Sequence, residues 1–260
     1  MKINIPTNLN LSDIYHEKPF TIFEFFNFFE DEIYNKLSSE FPSEHYFLDH
    51  HNLGNKKYFN NKSNKFDEFI NTSKVWRNFY DFANSEKFIV GIFNICKNNF
   101  YFIEERHKIK KINFKKEVRN NFLKKINRKI NKIFGHYEVR LGFEFSLMKK
   151  GSFIPPHNDT ENKLISLMIY FPDKILEEEI NLGTNFYKQK GKIIDKWRGD
   201  MMNENDSKIF YENYTVFHHS KFTKNKLVGF IKSKYSWHDV SQIRYAQTYR
   251  KSLNINLYKI

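Results

Sequence analysis

From residue 136 the chain alternates with a period of two. Tyr137, Val139, Leu141, Phe143, Phe145 and Leu147 are apolar, with Glu138, Arg140, Gly142, Glu144 and Ser146 between them. This predicts a strand with one buried and one polar face. Short β-branched or aromatic runs follow at residues 165–171, 184–188, 214–218, 227–231, 236–240 and 248–258. Short strands separated by turns predict an antiparallel sandwich or barrel, such as a jelly roll. Residues 188–211 read as a polar insertion, a lid or a surface excursion.

The first half reads differently. Residues 19–26 are β-branched and aromatic and predict a strand. Glu30, Asp31 and Glu32 then place acids in a first helical turn, with Ile33, Leu37 and Phe41 on one face and Pro42 as the stop. Residues 45–64 read as polar and irregular, 71–82 as a helix, and 86–107 as a longer apolar helix broken near Asn98 and Asn99. Residues 108–134 are Lys-rich, with Phe122, Ile126, Ile130 and Ile133 at helical spacing. The favoured reading is a helix with a solvated face and an apolar stripe on the sheet, capped by Gly135. Neither a repeat nor a low-complexity linker divides the chain. The expectation is a mainly β protein with flanking α: one domain over 1–260, with 1–135 an α/β support and 136–260 the β core carrying the site.

Composition adds four constraints. Aromatic residues make up 18% of the chain, with 29 Phe, so the core should be Phe-rich. The net charge of +13 permits an anionic partner. However, only eight of the 43 basic residues are Arg, the side chain base readers favour, which speaks against nucleic acid. The single Cys96 excludes an internal disulfide framework and a cysteine zinc site, and fits a reducing compartment. No apolar stretch of signal-peptide length follows Met1, and the longest apolar run, 88–96, is too short for a bilayer. The sequence reading is a soluble, cytoplasmic protein without a membrane partner.

The chemistry concentrates around Pro155, Pro156, His157, Asn158 and Asp159. Residues two apart on a strand share a face, so His157 and Asp159 can grip one metal ion. Two imidazoles and one carboxylate leave three coordination positions open, as in non-haem Fe(II) oxygenases. The third ligand must come from a later strand, where His238 competes with His218 and His219. Arg250 lies twelve residues after His238, room for a turn and a return strand. A guanidinium there suits bidentate capture of a carboxylate. Ser252, Asn254 and Asn256 share its face, while Leu253, Ile255 and Leu257 point the other way.

Four blocks together resemble the Fe(II)- and 2-oxoglutarate-dependent oxygenases, in particular the prolyl 4-hydroxylase-like branch. They are PPHND with residues 163–166 and 169–172; GTNFY at 183–187; KNKLVGF at 224–230; and SWHDV at 236–240 with YRKSLNINLY at 249–258. The resemblance implies a double-stranded β-helix, a cupin-like jelly roll with N-terminal helices packed on it. It implies His157, Asp159 and His238 as iron ligands, and Arg250 as the partner of the distal carboxylate of 2-oxoglutarate. Ser252 and Tyr170 would add hydroxyls there, and Arg140 and Glu144 would border the substrate. His218 and His219 fit less well, since no Arg follows them at a suitable distance. Asp159 favours hydroxylation, because related halogenases carry a small residue in its place. The implied reaction consumes O₂ and 2-oxoglutarate, with ascorbate as a possible reductant, and releases succinate and CO₂. Lys163 sits where the family has a basic residue, although a solvated lysine explains it equally well.

Two departures stand out. Leu182 replaces a common glycine, and Asn256 stands where nucleic-acid repair dioxygenases place a second arginine. The substrate stays open: a protein side chain such as proline, an amino acid or a glycan sugar. The alternatives are a nucleic-acid oxygenase using the basic residues 115–132 and a non-catalytic β-barrel binding module that retains the pocket.

Overall fold

The computed structural model describes residues 14–16, 18–50, 55–95, 111–114, 136–173, 182–190, 203–244 and 249–259. The first half supplies β1 (Ile14–His16), β2 (Ile22–Phe26), α1 (Asp31–Ser39), β3 (Leu48–His50), β4 (Lys56–Asn60), α2 (Asn64–Thr72), α3 (Lys74–Ala83), α4 (Glu86–Ile95) and β5 (Lys111–Phe114). The second half supplies β6 (His136–Met148), β7 (Ile154–His157), β8 (Lys163–Tyr170), β9 (Thr184–Gln189), α5 (Glu204–Asn213), β10 (Tyr214–Ser220), β11 (Lys226–Ile231), β12 (His238–Val240) and β13 (Arg250–Lys259).

The strands form two sheets. The large one runs β1-β2-β11-β8-β13-β6-β4-β3, with β5 also on β6, and the small one runs β10-β9-β12-β7. From β6 onward the chain passes between the sheets in jelly-roll order: β11-β8-β13-β6 faces β10-β9-β12-β7. This is the mainly β, double-stranded β-helix architecture expected above, with strands and helices of the first half added to the large sheet.

Alternation along the strands produces two different interiors. Val139, Leu141, Phe143, Phe145 and Leu147 of β6 join Ile165, Leu167, Ile169, Leu253, Ile255 and Leu257 in a core beneath the helices. Trp76 of α3 is fully buried there, with its ring edge-on to Phe145 at 4.7 Å. Ser73 caps α3 by accepting from Trp76 N at 3.3 Å. Truncating Trp76 to alanine would cost about 3–5 kcal/mol. The opposite face of the same strands carries Glu144, Ser146, Ser166, Asn254 and Asn256 into the barrel. Two glycines allow close approach: a Cβ on Gly183 would clash with Ser220 O, and one on Gly229 would clash with the Phe23 ring.

The differences from expectation arise from long-range pairing. The described part of 45–64 is not irregular: a turn at Glu44–Tyr46, the antiparallel pair β3 and β4, and the first residue of α2 fall there. β4 forms because it pairs with β6, Phe59 opposite Phe145. Residues 111–114 are strand rather than helix, paired in parallel with the start of β6. The remainder of the Lys-rich segment, residues 96–110 and Cys96 lie outside the described residues. Within 188–211, α5 is a helix capped by Asn203, whose Oδ1 accepts from Asp206 N at 2.8 Å. Among the described residues no helix is long and apolar enough to cross a membrane.

Candidate metal centre

β7 and β12 pair antiparallel in a register that sets His238 beside His157, their ring centroids 4.1 Å apart. Asp159 joins them by a different route from the one the sequence suggests. β7 ends at His157, and Asp159 lies beyond it with φ +66°, a left-handed conformation that aspartate tolerates. The carboxylate therefore reaches the imidazoles through a backbone turn rather than strand alternation. Asn158 holds that turn by donating to Lys234 O at 3.2 Å. One donor atom from each of His157, Asp159 and His238 lies within 4.8 Å of the others. His157 Nε2 is 3.8 Å from Asp159 Oδ1, and His238 Nε2 is 4.0 Å from Oδ2.

The hydrogen bonds set the tautomers. His157 Nδ1 meets Pro155 O at 2.9 Å, and His238 Nδ1 meets Ser236 O at 2.9 Å. A carbonyl only accepts, so each Nδ1 carries the proton and each Nε2 keeps its lone pair toward Asp159. Burial, then the neighbouring His157, pushes His238 down to about 3. Burial likewise lowers His157. Burial alone would raise Asp159, but Lys163 foremost among its neighbours outweighs it and holds the carboxyl far below its ordinary value. Neutral imidazoles and an ionised carboxylate are the protonation states a metal requires.

Lys163 is not a solvated lysine. Its Nζ donates to Asp159 Oδ1 at 2.6 Å with 13% of the side chain exposed, while Ser166 Oγ donates to Oδ2 at 3.0 Å. His157, Asp159 and His238, the candidate metal ligands, open onto a cavity of about 260 Å³ whose walls include Lys56, Glu144, Thr184, Asn254 and Asn256.

Arg250 is 2% exposed and donates through Nε to Leu182 O and through Nη1 to Ser252 Oγ at 3.3 Å. Its guanidinium lies 5.2 Å from the centroids of both the Tyr170 and Phe222 rings. Tyr170 OH meets Thr184 Oγ1 at 2.8 Å, and Thr184 is the member of this group that reaches the cavity wall. No carboxylate among the described residues forms an ion pair with Arg250. Glu144 is on the cavity wall, whereas Arg140 stacks 4.6 Å from the Tyr258 centroid and is not. His218 and His219 face elsewhere: His218 Nε2 binds Glu24 Oε1 at 2.8 Å, and His219 Nδ1 meets Asn185 Oδ1 at 2.7 Å.

Sequence reading missed three features of the site. Lys56 comes from β4, a strand invisible without its partner. Ser146 Oγ is buried with no hydrogen-bond partner among the described residues, opposite Ser252 in register; its place on the polar face of β6 could have flagged it. Asp239, next to His238, accepts from Tyr187 OH at 2.8 Å, Tyr211 OH at 2.7 Å and Asn185 Nδ2 at 2.8 Å. These bonds anchor β12 to β9 and α5.

No family model and no curated protein matches this sequence. Among solved structures, the chain is similar to a prolyl-4-hydroxylase from Pseudomonas putida, at 11% identity over 93% of this chain and 94% of that one, TM-score 0.48. It is also similar to HygX from Streptomyces hygroscopicus, solved with nickel, 2-oxoglutarate and hygromycin B, at 9% identity over 91% and 82%, TM-score 0.49. A prolyl hydroxylase from Trichoplax adhaerens, solved with a hypoxia inducible factor peptide, shares 7% identity over 91% and 83%, TM-score 0.45. Likenesses this loose leave the function to be argued from the site itself.

Proposed function

We propose that this chain is an Fe(II)- and 2-oxoglutarate-dependent dioxygenase that hydroxylates a small-molecule or polypeptide substrate. The observation that carries the reading is the facial set of two Nε2 lone pairs and one carboxylate inside a jelly roll, with positions left for further ligands. His157, Asp159 and His238 would hold the iron. When bound, the iron and 2-oxoglutarate supply the oxidising chemistry, with succinate and CO₂ as by-products and ascorbate as a reductant in the assay.

The chain's own residues fit the co-substrate. Arg250 is a buried cation with no acid partner among the described residues, and burial lowers its pKa from the usual arginine value. A distal carboxylate would compensate that charge. Ser252 and the orphaned Ser146 Oγ offer hydroxyl groups nearby, and Tyr170 orients Thr184 at the cavity wall. Leu182 contributes its carbonyl to fixing the guanidinium.

The test is release of succinate from 2-oxoglutarate under Fe(II), O₂ and ascorbate, beside calorimetric titration of Mn(II) and then 2-oxoglutarate without oxygen. His157→Ala and His238→Ala should abolish metal binding. Arg250→Ala should keep the metal and raise the 2-oxoglutarate requirement roughly 30-fold or more. Ordinary turnover in all three variants would sink the assignment.

A further inference from the structure

The cavity wall beyond the metal ligands carries a charge pair that neither metal nor co-substrate uses. Lys56 Nζ of β4 lies 2.8 Å from Glu144 Oε1 of β6, with side-chain exposures of 8% and 25%. Burial works against the Glu144 charge, but Lys56 outweighs it and keeps the carboxyl below its ordinary value, so the group is ionised. Asn254 stands opposite Glu144 in register, and Asn256 follows on the same face. Both asparagines line the cavity, and their amides have no hydrogen-bond partner among the described residues. Apart from Lys163, which Asp159 holds, the wall therefore offers one cation, one anion and two unspent amides within reach of His157, Asp159 and His238.

We infer that the substrate is a small zwitterion, a free amino acid or close relative, whose carboxylate pairs with Lys56 and whose ammonium pairs with Glu144. This rests on the dioxygenase reading and names the substrate class for that site. Parting the two side chains exchanges one ion pair for two, so every buried charge stays compensated. The four-carbon stem of lysine supplies the movement. A ligand carrying only an amine leaves Lys56 without an acid, and one carrying only an acid leaves the part-buried Glu144 with Asn60 and the Asp159-bound Lys163 alone; each loses an ion pair, which sites of this kind reject strongly. Size agrees, since about 260 Å³ must hold the co-substrate as well. Among the described lining residues Phe230 is the only phenyl ring, and it packs on His238 at 4.5 Å, so these residues offer a prolyl ring no free aromatic shelf.

The experiment titrates the full chain, loaded with Mn(II) and 2-oxoglutarate without oxygen, with the free L-amino acids and with the amine and deaminated acid matching the best binder. At least one amino acid should bind, and both of its truncated analogues should bind roughly 100-fold more weakly or worse. Lys56→Met should erase the preference over the amine, and Glu144→Gln the preference over the deaminated acid. The wild-type comparison needs no variant to fold. If 2-oxoglutarate binds but no amino acid does, or truncated analogues bind as well as the intact one, this inference fails while the dioxygenase reading stands. Failure of 2-oxoglutarate itself to bind removes both.

Discussion

Two buried clusters in this fold contain the same kinds of side chain and end in opposite states. At the candidate metal centre, Asp159 faces two histidines and Lys163; on the β2–β11 side of the barrel, Glu24 faces His218, with His16 behind it, and Lys226. In the first, both imidazoles spend Nδ1 on backbone carbonyls and keep Nε2 toward the carboxylate. In the second, His218 spends Nε2 on Glu24 Oε1 at 2.8 Å and meets His16 with Nδ1 at 3.2 Å. Lys226 takes the other Glu24 oxygen at 3.1 Å and also donates to Ser220 Oγ at 3.0 Å. Residue types alone do not distinguish a ligand site from a structural knot; which ring nitrogen the backbone claims does.

The largest expected effect breaks that comparison at its functional end. His238→Ala should weaken Mn(II) binding more than about 100-fold, whereas His218→Ala should leave it within a few-fold, both read by calorimetry. Equal losses would erase the distinction between the clusters. Next in size, Glu24→Ala strands the buried Lys226 ammonium and should cost about 3–5 kcal/mol in urea unfolding, with the metal site's affinity preserved.

Acid sharpens the contrast further. His238 sits at about 3 in the fold against an ordinary 6.5, so the unfolded chain takes up the proton first and acid favours unfolding. Stability of the metal-free protein should fall as pH drops through 6.5 and keep falling toward 3, Asp159 adding its own loss below about 4. His238→Gln should flatten the upper part of that slope in urea midpoints measured from pH 7.5 to 4.5. The smallest effect belongs to Tyr211→Phe, which removes one of three donors to Asp239 and should cost about 1 kcal/mol.

The parts of the fold legible in the sequence are those whose periodicity is local. β6 and β13 announce themselves by strict alternation, and α1 by its acidic first turn and the following Pro42. β4 does not, because only its pairing with β6 makes residues 56–60 a strand; Lys56 was lost with it. The site divides in the same way. His157, Asp159, His238 and Arg250 were legible as residue types at suggestive spacing. The left-handed turn that delivers Asp159, the carbonyls that set the tautomers and the pairing that disqualifies His218 are tertiary facts that periodicity does not carry.

The short contact between Lys163 and Asp159 bears on how the centre is filled. The Lys163 ammonium balances the Asp159 carboxylate one for one, so the polypeptide has no electrostatic reason to await an ion before it closes. Loading of the proposed iron is then expected to follow folding, the metal taking over from the Lys163 ammonium on a finished scaffold. A chelator should accordingly strip the centre reversibly and leave the barrel intact, unlike the collapse seen where the ion itself is the keystone.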